Sequence, residues 1–150
     1  MLYEGKDENF FLMMMQPPKS VETDQIPPRE YIFIVDVSGS MHGFPLNISK
    51  KLMKDLLGNL KKQDRFNVLL FASGSTLMSQ TSVEASEQNI QKAFRIIDSE
   101  RGGGGTQLLP ALKRALALPK SEGYSRSVVI IKDGYVNVEK DAFEIGRAHV

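Results

Sequence analysis

The chain has 150 residues, 41% of them apolar and 25% charged, which suits one globular domain with a full hydrophobic core. A net charge near +1, with no basic stripe interleaved with aromatic residues, gives no argument for nucleic-acid binding. The absence of cysteine excludes disulfides, thiolate metal sites and cysteine nucleophiles.

In chain order, the apolar run Phe10 to Met15 is too short to span a membrane, which takes about 20 residues. Glu4, Asp7 and Glu8 precede it where a signal peptide carries positive charge. Residues 8–16 read instead as a strand whose methionines pack, bounded by Pro17-Pro18. Residues 17–30 read as a polar, proline-bearing linker, so a domain boundary is expected near Arg29. Tyr31 to Val35 is a continuous apolar run, the pattern of a strand covered on both faces.

Pro45 fits a helix start, after which Ile48, Leu52, Met53, Leu56, Leu57 and Leu60 recur at helical spacing. Lys50, Lys51, Lys54, Lys61 and Lys62 read as the solvated face. Phe66 to Phe71 is a second buried-type strand, turned by Ser73-Gly74-Ser75 into a short strand around Thr76 to Met78. Ser86 is a natural N-cap for a helix carrying Ile90, Ala93, Phe94 and Ile97. Thr106 can cap the next helix, with Leu108, Leu109, Leu112, Ala115 and Leu116 inward and Pro110 in the first turn. Pro119 ends it, and Ser127 to Lys132 returns as a strand. The order β, α, β, β, α, α, β with continuous apolar strands predicts an α/β fold: a Rossmann-like, open, mostly parallel sheet flanked by helices.

Two carboxylates sit directly behind buried-type strands: Asp36 after Tyr31–Val35, and Asp133 after Val128–Lys132. Ligands of open parallel sheets bind at the carboxyl ends of the strands. Asp36, Ser38 and Ser40 alternate along one loop, with Gly39 allowing a tight backbone path. The run Gly102 to Gly105 delivers Thr106. A site of carboxylate and hydroxyl oxygens suits a hard cation, magnesium or manganese with calcium as a further option, and lacks the histidine or cysteine that zinc favours. With few carboxylates, the ion keeps positive charge and a water that an acidic group of a partner can replace. Such binding needs no general base, so a non-enzymatic function is expected.

Other readings fit less well. A phosphoryl-accepting Asp36 calls for a second aspartate two residues on, where this chain has Ser38. A serine hydrolase using Ser38 or Ser40 with His42 lacks the nucleophile elbow. The glycine run has no Gly-Lys-Ser/Thr ending and is not a phosphate loop; the glycines are expected to let the Thr106 loop move when ligand arrives. A structural domain with an unused metal site, and an adaptor to an ATPase, are the remaining alternatives.

The segment Ile34-Val35-Asp36-Val37-Ser38-Gly39-Ser40-Met41, with Gly104-Gly105-Thr106 and Asp133-Gly134, resembles the three loops of the metal-ion-dependent adhesion site of von Willebrand factor type A domains. The resemblance covers residues 31–143 and implies that Asp36, Ser38, Ser40, Thr106 and Asp133 form the metal shell, some through water. It places Gly39, Met41, His42, Gly104, Gly105 and Gly134 in the ligand-facing loops. Where that family usually has threonine before the last aspartate, this chain has Lys132, expected to point away from the ion. Residues 10–18 and Pro27-Pro28-Arg29-Glu30 resemble the join between a VIT domain and a type A domain in inter-alpha-trypsin inhibitor heavy-chain-like proteins, bacterial ones included. On that resemblance residues 1–30 are the join to an upstream domain, and an extracellular, surface or periplasmic location is favoured. The implied partner is a protein presenting a carboxylate, with no membrane insertion in this segment and no small-molecule substrate. The last seven residues, Glu144 to Val150, can be encoded by a string resembling a sequencing adapter; they are expected to be a non-native tail on an incomplete domain.

Overall fold

A computed structural model describes residues 27–134 and the backbones of two short strands, β1 (Leu2–Glu4) and β2 (Asn9–Phe11). These two pair antiparallel, with Tyr3 opposite Phe10. The strand expected over residues 8–16 is thus seen at Asn9–Phe11. The methionine run, the linker up to residue 26 and everything after Gly134 lie outside the described residues.

The main sheet forms around β3 (Arg29–Asp36), whose side chains from Ile32 to Asp36 are all buried. It pairs in parallel with β4 (Arg65–Phe71) on one edge and with β7 (Ser125–Ile131) on the other. β5 (Ser75–Leu77) and the two-residue β6 (Val83–Glu84) run antiparallel along the outer edge of β4. The spatial order is β5-β4-β3-β7, with β6 also on β4. β6 is too short to leave a period-2 signal, which is why the pattern reading passes over it.

Alternation along the strands splits the core between the two faces of the sheet. Phe33, Val35, Phe66, Val68 and Leu70 meet α1 (Phe44–Gly58) through Met53 and Leu57, and α2 (Glu87–Ser99) through Ala93 and Ile97. Ile32, Ile34, Leu69 and Phe71 meet α3 (Leu108–Leu116) through Leu108, Ala111, Leu112 and Ala115. The α/β architecture with a mostly parallel sheet is therefore as expected.

Three local expectations change. Ile48 and Leu52 are half exposed (50% and 44%), not inward. α2 covers one flank of α1, where Lys50 caps its last carbonyls at Asp98 and Glu100 and Lys54 pairs with Asp98. These two lysines of the expected solvated face are thus tied to α2. On the helix wheel Ile48 and Leu52 fall on the opposite flank, away from α2. Thr106 does not cap α3: Gln107 holds that position, without a side-chain cap. Ser86 does cap α2, its hydroxyl accepting from Asn89 N–H at 3.4 Å.

At the amino end of the sheet a buried ion pair ties strand to strand. Glu30, fully buried, accepts from Arg126 Nε at 2.7 Å and Nη2 at 2.9 Å, and from the Ser121 hydroxyl at 3.0 Å. Arg126 also donates to the Leu118 and Pro119 carbonyls after α3. Burial alone pushes the Glu30 carboxyl up, but the Arg126 guanidinium, with the neighbouring Ser82 hydroxyl and the Ser121 backbone N–H, outweighs it and holds the pKa at about 2, against 4.5 for an unperturbed group.

Candidate metal centre

β3 is the point where the chain order of the sheet reverses: one connection leads through α1 to β4, a later one through α3 to β7 on the other side. The loop after β3 therefore opens into the crevice between helices on opposite faces, the place where such sheets bind ligands. Asp36 is the last residue of β3 and is fully buried. Its Oδ1 accepts from Ser38 N–H at 2.8 Å. Its Oδ2 is buried with no hydrogen-bond partner among the described residues. Ser38 Oγ and Ser40 Oγ lie 3.2 Å apart, the first residue buried and the second exposed on a short 3-10 turn, Gly39–Met41.

The glycine run docks against this loop by backbone alone. Gly39 N–H donates to Gly104 O, and Gly103 N–H to Val37 O, each at 2.9 Å. A Cβ on Gly39 would meet Gly104 O at 3.2 Å. Gly102, at φ +78°, would bring a Cβ to 3.1 Å from the His42 backbone. Close approach at Gly39, and close approach with positive φ at Gly102, account for these two glycines. Gly102→Ala is expected to displace the loop and to cost about 1–3 kcal/mol, read from the midpoint of urea unfolding.

Thr106 is exposed and reaches the same sheet edge two residues after Gly104. Asp133 arrives by register: Val35 of β3 is opposite Ile131 of β7, so both chains leave the sheet side by side. It is exposed, in a bend with Gly134, which has open space around it. Asp36, Ser38 and Ser40 are joined by direct hydrogen bonds; Thr106 and Asp133 share their edge but no hydrogen bond with them among the described residues. No cluster of three or more His, Cys, Asp or Glu side chains suited to a metal occurs among the described residues. The assembled donors are mainly hydroxyls, joined to one buried carboxylate.

Met41 closes the same turn, with its apolar side chain fully buried in the core beneath α1. His42 is exposed beside it, and its N–H donates to Gly39 O. Sequence reasoning treated Ser73 as a turn residue, yet its hydroxyl accepts from Gly105 N–H at 2.7 Å. The available signal was position, since Ser73 also comes after a buried strand at the carboxyl edge.

No helix among the described residues is long and apolar enough to cross a membrane. A von Willebrand factor A domain-containing protein of Dictyostelium discoideum is 30% identical over 138 residues, 90% of this chain and 15% of that protein. Inter-alpha-trypsin inhibitor heavy chain H3 of Bos taurus is 28% identical over 121 residues, 75% of this chain and 14% of that protein. The chain thus spans about one seventh of these relatives. Among solved structures, a pilus adhesin of Lactobacillus rhamnosus superposes with a TM-score of 0.62 at 17% identity, over 75% of this chain and 18% of that one. The family model for the von Willebrand factor type A domain matches residues 29–149, and the chain belongs to that family.

Proposed function

We propose that this domain is a non-enzymatic, metal-dependent protein-binding module, in which magnesium or manganese held by Asp36, Ser38, Ser40, Thr106 and Asp133 is completed by a carboxylate of the partner. The observation that carries the reading is Asp36 Oδ2, a buried carboxylate oxygen without a hydrogen-bond partner among the described residues, in a loop whose two hydroxyls lie 3.2 Å apart. An unpaired buried charge is costly, and a cation is the ligand that relieves it. The donor set, all oxygen, fits a hard divalent ion. Bound there, the ion supplies residual positive charge and an exchangeable position for an acidic group.

The chain's own residues do the rest. Ser38 N–H orients the Asp36 carboxylate, the serine pair presents its oxygens on one side, and the docked glycines bring Thr106 to the edge. The relatives named as inter-alpha-trypsin inhibitor heavy chain and pilus adhesin support an interaction role at an extracellular or surface location. The VIT-domain join is part of the same proposal. Calorimetric titration with magnesium, manganese and calcium tests it: saturable binding of about one ion is expected. A folded domain that binds none of the three would leave a metal-independent interaction module.

A further inference from the structure

We infer that Ser73, in a turn that Arg114 secures through Ser75, positions the Gly105–Thr106 arm and thereby sets the affinity of the metal site. This rests on the proposal that Thr106 is a ligand. Thr106 is bracketed by two bonds to one turn: Gly105 N–H donates to Ser73 Oγ at 2.7 Å, and Gln107 N–H to Ala72 O at 2.9 Å. The fit is close. Gly104 has φ +77°, and a Cβ there would lie 2.7 Å from Ser73 Oγ, so the arm approaches the serine only because that position is glycine.

The turn is itself secured. Ala72 N–H donates to Gly74 O at 2.8 Å, and Arg114 of α3 donates through Nη1 to the Ser75 carbonyl and, at 3.0 Å, to its hydroxyl. Because α3 begins two residues after Thr106, a closed ring results: Thr106, α3, Arg114, Ser75, Ser73, Gly105. A closed ring fixes where Thr106 stands before any ligand arrives. Without the Ser73 hydroxyl the arm must be ordered during binding, and that cost appears as lost affinity. Ser73 acts through Thr106; it is a positioning residue.

Magnesium is the probe, titrated calorimetrically into the full chain. Ser73→Ala is expected to weaken magnesium binding about tenfold, while thermal unfolding in chelator stays at the wild-type midpoint. Hydrogen exchange at the Gly105 amide is expected to quicken even without metal. On a Thr106→Ala background, Ser73→Ala should cause no further loss, because the arm then has no ligand to place. Arg114→Ala should act in the same direction, with part of the affinity restored by Arg114→Lys. Wild-type affinity in Ser73→Ala, or losses that simply add in the double variant, would overturn the inference alone. A wild type that binds no magnesium would overturn the metal reading and this inference with it.

Discussion

Replacing Asp36 with asparagine is expected to abolish the magnesium response while leaving the metal-free domain as stable as wild type, or more stable by about 1 kcal/mol. The sign comes from the two oxygens of the carboxylate. Oδ1 accepts from Ser38 N–H, a bond an amide oxygen can also accept. Oδ2 is buried without a hydrogen-bond partner among the described residues, so in the absence of metal only one of the two carboxylate oxygens is satisfied there. Asparagine removes the carboxylate charge together with the attraction for a cation. In the wild type, magnesium at 100 times its dissociation constant adds about 2.7 kcal/mol. The check is a pair of melts, in chelator and in magnesium, for both proteins. An Asp36→Asn domain that still gains stability from magnesium would remove Asp36 from the ligand set. One much less stable in chelator would mean that the carboxylate serves the fold.

The Glu30–Arg126 pair carries the second large effect. Arg126→Ala leaves Glu30 buried and unpaired, which is expected to cost about 3–5 kcal/mol. The replacement of both, Glu30→Leu with Arg126→Met, should recover most of that loss, because a packed apolar pair carries no desolvation cost. The pair also predicts a pH dependence. The Glu30 pKa is depressed in the folded state, from 4.5 to about 2. Its contribution is thus fully present above the unfolded value and is lost as pH falls through 4.5 toward 2. The shift corresponds to about 3 kcal/mol. With Arg126 gone, burial dominates and raises the pKa, so the Glu30 contribution reverses sign and favours the folded state at low pH. Urea midpoints between pH 3 and 6 separate the cases. A Glu30→Gln variant with the wild-type slope would assign the acid sensitivity to other carboxylates.

Much of the candidate site is legible in the sequence because its residues come directly after buried strands. Apolar runs such as Tyr31–Val35 and Val128–Ile131 announce strands, and parallel strands deliver their succeeding loops to one edge; Tyr31–Val35 is covered on both faces as its pattern implies, whereas β7 is only partly buried and Ile130 is exposed. Asp36 and Asp133 are placed by that rule. Ser38 and Ser40 are placed by the alternation of a short loop. The glycine run is visible too, but its role is not: whether a glycine bends, moves or admits a neighbour depends on the atoms opposite. For Gly39 and Gly102 the neighbours are backbone atoms of distant segments.

Misreadings arise where burial depends on neighbours. Ile48 and Leu52 fit a helical stripe, but α2 covers only the other flank. Thr106 has the chemistry of an N-cap, yet the helix begins one residue later than that role requires.

The sequence by itself determined the three parallel strands, β5 and the three helices, the sheet edge that carries chemistry and the oxygen character of the donors, all of which arise from local periodicity and residue type. Only the tertiary structure decided the strand order, the burial of the Asp36 carboxylate, the hold of Ser73 on Gly105 across 32 residues and the Glu30–Arg126 pair across 96. These depend on contacts between residues far apart in the chain, which leave no local periodicity to read.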